Sequence, residues 1–372
     1  MKKVLFFIPT LGHGGAERVL VNLVNHMDQT KFDITVQTMF DVGIYKNQLK
    51  KGIRYKGGLK HYFRGNTVVF KLFSPKFLFK KYIKEHYDII VSYLEGPSCR
   101  VVSGCTDKET KLIAWIHTEF SNINFATKVF KTKKEAIKCY EKFDKTICVA
   151  STVRENFTSL FPSVKNVDVL YNTVESNVIL DMANEPIEDI IFSKDKINIV
   201  SVGKLIKVKG FDRLIKISKK LIEKSFPVHF YLVGKGEEKP NLERLIEENN
   251  VKENWTFIGF KTNPYKYVKN ADLYVCSSYK EGFSTAVTEA LIVGTPVVST
   301  NCSGAKELLG ENNEYGIVTE NNENALLKGL EEMLLNKGLL AKYAKKAKER
   351  GKKFNVDKTV EAVENMLMEV LG

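Results

Sequence analysis

Leu273-Tyr274-Val275-Cys276-Ser277-Ser278-Tyr279-Lys280-Glu281-Gly282-Phe283-Ser284-Thr285-Ala286-Val287-Thr288-Glu289-Ala290, continuing to Gly294-Thr295-Pro296-Val297-Val298-Ser299, runs from an apolar strand pattern into a glycine-bearing loop, a helix and a second apolar strand. Strand, helix and strand in that order form a βαβ unit, the building block of a parallel sheet. The stretch also carries two carboxylates eight residues apart, Glu281 freed on the loop by Gly282 and Glu289 on the helix that follows. Such a pair can reach opposite ends of one ligand, one holding a sugar and the other a ribose. Between them Ser284 and Thr285 stand at the helix N-terminus, where backbone N–H groups and hydroxyls bind phosphate. Taken singly, Ser284 or Thr285 is as readily a helix cap and Glu289 a solvated helix charge. The constellation, rather than any one residue, points to a site.

The alternation extends outward in both directions. Strand patterns fall at Lys3–Ile8, Ile34–Thr38, Ile89–Tyr93, Lys111–His117 and Thr146–Ala150, and again at Ile197–Val202, His229–Val233, Trp255–Ile258, Leu273–Cys276 and Pro296–Ser299, with amphipathic helical stretches between them. A chain of 372 residues is about twice the usual single-domain length. Two doubly wound α/β halves follow, 1–172 and 196–352, joined across the acidic, irregular stretch 173–195. The remaining 353–372 reads as a closing helix with apolar residues at helical spacing, able to pack on either half.

Two further strand-to-helix turns carry glycine. Ser201-Val202-Gly203-Lys204-Leu205-Ile206-Lys207-Val208-Lys209-Gly210 places Lys204 and Lys209 on a loop whose backbone can wrap a pyrophosphate, the charge arrangement that a departing nucleotide diphosphate requires. Alone, the two lysines are equally a pair of solvated surface charges. Pro9-Thr10-Leu11-Gly12-His13-Gly14-Gly15-Ala16-Glu17-Arg18 nearly fits a dinucleotide fingerprint, but Glu17 stands where the third glycine belongs, which weakens a NAD reading. A tight turn needing flexible residues explains the same glycines.

With these residues in view the chain resembles glycosyltransferase family 4 over nearly its whole length. Glu281 and Glu289 match the family's Glu-x7-Glu motif, Gly203-Lys204-Leu205 with Lys209-Gly210 its Gly-Arg-Leu…Lys-Gly element, and Gly14 to Arg18 its Gly-Gly-Ala-Glu-Arg opening. The resemblance implies a GT-B fold, two Rossmann-like domains facing across a cleft, the closing helix able to cross back to the first. It implies that Lys204 and Lys209 hold the diphosphate, Glu281 the transferred sugar and Glu289 the ribose. Gly203, Gly234, Gly282, Phe283, Ser284 and Thr285 complete the donor-binding set. Gly14 and Gly15 would face the donor phosphates or the acceptor across the cleft. His117, at the end of a strand in Trp115-Ile116-His117-Thr118-Glu119, takes a positioning or proton-handling role by the same likeness, and Asn172 that of a hinge or cleft residue. The expected catalytic residues are therefore His117, Lys209 and Glu281. Two positions depart from the pattern. Lys204 replaces the usual Arg, so a point charge stands in for bidentate phosphate binding, and Lys235 lies between Gly234 and Gly236 where many relatives have an acid.

Charge divides the chain. Of the net +13, residues 1–172 carry all: 28 Lys and Arg against 15 Asp and Glu, with 29 of each in the remainder. Between Asp41 and Glu85 lie 12 basic residues, Lys46 to Lys84, and no acid. Aromatics interleave with them: Tyr45, Tyr55, Tyr62, Phe63, Phe70, Phe73, Phe77, Phe79 and Tyr82. Each basic residue near anionic lipid contributes about 1 kcal/mol, so this stretch is expected to dock on a membrane, unless it is a solvated surface over core aromatics.

The six cysteines form no CxxC pair, which argues against a zinc site or disulfide framework. No apolar run is long enough to span a bilayer and the N-terminal run is too short for a signal peptide, so the expected location is cytoplasmic, peripheral on the inner face of the cell membrane. No Asp-x-Asp triplet is present, and neither metal nor cofactor is expected. The family likeness implies retention of configuration and a UDP-linked hexose or N-acetylhexosamine as donor. Charge and resemblance together suggest an undecaprenyl-diphosphate-linked acceptor in capsule, exopolysaccharide or related surface-glycan assembly. Rival readings are a sugar-nucleotide epimerase or NAD dehydrogenase on the same scaffold, and nucleic-acid binding by the basic half, which would leave Glu281 and Glu289 without a purpose.

Overall fold

A computed structural model describes residues 1–12, 14–60 and 70–372. It divides into two compact units, Met1–Val174 with Val356–Gly372, and Glu175–Asn355. In the first the strands are β1 (Lys2–Ile8), β2 (Phe32–Thr38), β3 (Arg54–Lys56), β4 (Ile89–Ser92), β5 (Lys111–Ile116), β6 (Lys145–Cys148) and β7 (Val167–Val169). They form one sheet ordered β3-β2-β1-β4-β5-β6-β7, with parallel pairing throughout, Val4 opposite Ile34 on one side and Ile89 on the other. In the second unit β8 (Ile197–Val202), β9 (Val228–Val233), β10 (Trp255–Gly259), β11 (Leu273–Cys276), β12 (Val297–Thr300) and β13 (Ile317–Thr319) are ordered β10-β9-β8-β11-β12-β13, again all parallel.

Central strands read as unbroken apolar runs because helices cover both faces: Val4 to Ile8 is wholly buried. Every expected strand forms, with ends shifted by a residue or two. Three strands escaped the sequence reading, β3, β7 and β13. Each is a three-residue strand at the edge of its sheet, too short to set up a pattern. In the second unit, helix Phe211–Glu223 buries Leu214, Ile217 and Leu221 against the sheet, and Trp255 stacks on Phe230 at 4.9 Å while its indole N–H donates to Ser218 Oγ at 2.9 Å.

One boundary differs from the sequence reading, and the helix left open to either half has a definite place. The stretch 173–195 is not a free linker, since from Glu175 it is part of the second unit. Helix Ser176–Ala183 buries Ile179 and Ala183, and Asp189 accepts from Tyr267 Oη at 2.8 Å and pairs with Lys261 at 2.6 Å. The Tyr267 partner of Asp189 lies some eighty residues away, which local composition does not reveal. The closing helix Val356–Leu371 belongs to the first unit. It lies on helix Gly15–His26, buries Val360, Val363, Met366 and Leu367, and its Glu364 carboxylate accepts the Asp28 backbone N–H at 2.6 Å.

Candidate functional site

In each sheet the chain winds outward in opposite directions from its first strand, so the loops after two neighbouring strands part and leave a notch at the C-terminal edge. For the second sheet those strands are β8 and β11, and their loops are the ones that hold Lys204, Lys209, Glu281 and Gly282. Lys209 Nζ lies 2.6 Å from Glu281 Oε1, and Ser278 Oγ donates to the same oxygen at 2.6 Å. Glu281 Oε2 has no protein partner among the described residues, so the second oxygen is available to a ligand. Burial works against the Lys209 charge, yet the attraction of Glu281 and its hydrogen bond outweigh that cost and hold the ammonium pKa above its ordinary value. A fixed, largely sequestered cation at a helix-start loop suits a developing diphosphate charge.

The loop geometry is set from below by Arg213, a residue the sequence reading did not single out. Its guanidinium is buried, donating to the carbonyls of Ser277 at 2.7 Å and Ser278 at 2.5 Å, and it lies 4.1 Å from the Tyr279 ring. Ser277 Oγ donates back to Lys209 O at 3.0 Å. Gly210 makes this closeness possible: at φ +64° it occupies the left-handed region, and a Cβ there would fall 2.1 Å from Ser277 O. Gly234 serves the neighbouring approach, since a Cβ on it would sit 1.8 Å from Gly203 O, so the loops after β8 and β9 touch backbone to backbone. Lys204 is exposed on the first of these loops.

Helix Thr285–Val293 begins beside Glu281. Ser284 is its cap, the Oγ accepting from Val287 N–H at 3.4 Å, which leaves the Thr285 and Ala286 N–H groups at the open end of the helix. Glu289, one turn further, is buried, with Tyr265 Oη 3.5 Å from its Oε1. It is therefore not a solvated helix charge. Phe283 turns inward against Gly304, a packing position.

In the first sheet the notch lies between β1 and β4. Gly14 caps helix Gly15–His26 immediately after β1, and a Cβ on Gly14 would fall 2.0 Å from Glu17 Oε2. His13 lies outside the described residues. His117 follows β5, one strand over; it is buried, its ring 4.9 Å from Tyr93, and among the described residues Nε2 has no hydrogen-bond partner. Burial pushes its pKa down to about 3, so the imidazole is neutral. Its backbone N–H donates to Glu95 Oε2 at 2.8 Å. Glu95 was not anticipated, and burial raises its carboxyl pKa. Its position in Glu95-Gly96-Pro97, just past β4, was the available signal. Asn172 follows β7 two residues before the unit boundary, buried with Oδ1 unpartnered among the described residues.

Among the described residues no cluster of three or more His, Cys, Asp or Glu could hold a metal ion, and no helix is long and apolar enough to cross a membrane. The basic stretch is not uniform. Lys46 pairs with Asp41 at 2.9 Å, Arg54 with Asp33 at 3.0 Å and Lys56 with Glu85 at 2.5 Å, so part of its first half is offset by acids that flank it in space. Phe70 and Tyr82 are core residues, whereas Phe73 and Phe77 are exposed. Tyr62, Phe63 and Arg64 lie outside the described residues.

The family model described as Glycosyltransferase Family 4 matches residues 13–178, and that of glycosyl transferases group 1 matches 184–353. The structure superposes on Anabaena HepE in complex with UDP and glucose with a TM-score of 0.80 at 18% identity, covering 99% of this chain and 100% of that one. TarM superposes with a TM-score of 0.77 at 15% identity, covering 100% and 99%. Two parallel-sheet domains of this order are the GT-B architecture, and the protein is a glycosyltransferase. The chain belongs to glycosyltransferase family 4. It is 30% identical, over 95% of its own length and 96% of the relative's, to an N-acetylgalactosamine-N,N'-diacetylbacillosaminyl-diphospho-undecaprenol 4-alpha-N-acetylgalactosaminyltransferase of Campylobacter jejuni.

Proposed function

We propose that this glycosyltransferase moves a hexose or N-acetylhexosamine, with retention and without a metal, from a UDP-linked donor to a hydroxyl of an undecaprenyl-diphosphate-linked glycan, in capsule, exopolysaccharide or related surface-glycan assembly. The observation that carries the reading is the Lys209–Glu281 pair at the switch point of the second sheet. The bond from the anomeric carbon to the diphosphate oxygen breaks as the acceptor oxygen bonds to the same face of that carbon. The acceptor's proton passes to an oxygen of the leaving phosphate. Lys209, with the open N–H groups of helix Thr285–Val293, stabilises the charge that develops there, and Lys204 adds an exposed cation. Glu281 Oε2 orients a sugar hydroxyl, Glu289 the ribose hydroxyls, and the neutral His117 and Asn172 offer hydrogen bonds near the reacting sugar and acceptor. Retention is supported by the α-linkage in the Campylobacter relative's name, since common UDP-hexoses are α-linked. That name also supports the lipid-linked acceptor, and such a lipid implies work at the inner membrane face.

A screen of UDP- and GDP-sugars, read as lipid-linked product with NMR assignment of the new linkage, tests the proposal. The expected product is an α-linked sugar from a UDP donor, formed equally in EDTA. Lys209→Met should lower kcat by about two to three orders of magnitude. An inverted linkage, loss of turnover in EDTA, or epimerised donor with no transfer would overturn it.

A further inference from the structure

Three of the exposed apolar residues of the first unit, Leu72, Phe73 and Phe77, sit close together in the chain. Leu72 is 73% exposed, Phe77 49% and Phe73 38%, and the two phenyl rings stack at 5.0 Å with 16° between their planes. An exposed stacked pair beside an exposed leucine is unusual, because each ring sheds water only on the face it shares.

The structure holds these side chains out. Arg100, 1% exposed, donates from Nη1 to Phe70 O at 2.7 Å and from Nη2 to Phe73 O at 2.8 Å, and binds the Glu135 carboxylate at 2.9 Å. With both carbonyls turned inward onto a buried guanidinium, the intervening side chains face away. Ser74 then caps helix Pro75–Tyr82, accepting from Phe77 N–H at 3.2 Å, and Leu78 and Tyr82 seat the helix in the core. Gly104 lets the start of the helix rest against helix Pro97–Val102, since a Cβ there would fall 2.0 Å from Pro75 O.

The same arginine brings a second basic row alongside the first. Glu135 lies in helix Lys133–Tyr140, so Arg100 ties the start of that helix, where Lys131, Lys133 and Lys134 fall, to the segment 70–73, and Lys131 Nζ reaches Leu72 O at 3.5 Å. On the other side Lys76, Lys80, Lys81 and Lys84 are exposed, with 77, 80 and 81 on one face of the helix and Lys84 just past its end. Neither 71–84 nor 131–134 contains an acid, and Glu135 is committed to Arg100. An apolar tip rimmed by cations and no anions matches the interface of an anionic bilayer, where apolar groups enter the acyl boundary and ammonium groups meet phosphate. A protein surface of opposite charge would be met by the lysines alone and would leave the rigid aromatic tip unexplained.

We propose that Leu72, Phe73 and Phe77, held out by Arg100 and flanked by the lysine rows 76–84 and 131–134, form a wedge that inserts into an anionic lipid surface. This deepens the membrane-lipid part of the proposed function and rests on it, while shifting contact away from Lys46, Arg54 and Lys56, which are ion-paired, to a surface that includes lysines outside the basic stretch.

The test is flotation of the full chain with vesicles of phosphatidylcholine alone or mixed with phosphatidylglycerol. Leu72→Asp/Phe77→Asp should weaken binding to the mixed vesicles by on the order of a hundredfold. Lys131→Glu/Lys134→Glu should weaken it by about tenfold and make it less salt-sensitive. A Phe77→Trp variant should gain a blue-shifted emission quenched by brominated lipid. Unchanged thermal unfolding and unchanged hydrolysis of nucleotide sugar without acceptor show that fold and donor site are intact in each variant. Failure of donor turnover in the parent protein would count against the proposed function and leave the wedge to be judged by flotation. Flotation of the Asp variant equal to the parent's, no added quenching in the Phe77→Trp variant, or parent binding to neither vesicle would overturn the wedge.

Discussion

His117 shows how much one buried ring contributes to chemistry and to stability. With its pKa near 3 it carries no positive charge at neutral pH, so in the role proposed for it the ring would meet substrate as a neutral imidazole and not as a cation. The folded value lies below the unfolded one of about 6.5, so between those values the unfolded chain binds the extra proton. The contribution is fully present above pH 6.5 and is lost as pH falls toward 3. Urea unfolding of the protein and of His117→Phe across that window should show the parent losing up to about 1.4 kcal/mol per pH unit more than the variant. Parallel acid limbs would mean that the ring is not held neutral. Of the site residues, those in the two carboxylate and lysine loops were legible because their spacing is local. Arg213, Glu95 and Arg100 were not, since the carbonyls and N–H groups they hold lie 22 to 65 residues away along the chain.

At the scale of elements, the long central strands announced themselves as continuous apolar runs, while β3, β7 and β13 carry three residues each and take their conformation from a neighbouring strand. The closing helix was legible as a helix, but its choice of domain was not. Apolar spacing gives a face without naming what covers it. The deciding contact is polar and specific: Glu364 receives the Asp28 N–H at 2.6 Å and sits within 3.5 Å of Lys31. Glu364→Ala leaves that N–H without its charged acceptor and should cost about 1 to 3 kcal/mol, read as a lower unfolding midpoint. An unchanged midpoint would show that the apolar side chains alone hold the helix.

Across the whole molecule, charge and chemistry are divided between the units. With its closing helix the first unit has 29 basic and 19 acidic side chains, a net +10, and the second 28 and 25, a net +3. Division of the sequence at residue 172 assigns all of the excess to the first half; the acidic closing helix moderates it. The loops proposed to bind the donor, by contrast, belong wholly to the second unit. UDP should therefore slow hydrogen exchange most in 203–210 and 277–289, with the sheet of the first unit, β1 to β7, little affected. Protection concentrated in the first unit instead would contradict the assignment of the donor site.

The placement of Val356–Leu371 on the first unit also sets an order of events during synthesis. The second unit is contiguous from Glu175 to Asn355 and holds all its strands once that stretch has left the ribosome. The first begins to emerge earlier yet lacks a covering helix until after the second is finished, so helix Gly15–His26 keeps part of its apolar face uncovered in the meantime. The domain translated first is thus the domain completed last, and a nascent chain stalled before residue 356 offers chaperones that uncovered face even after its companion unit has folded.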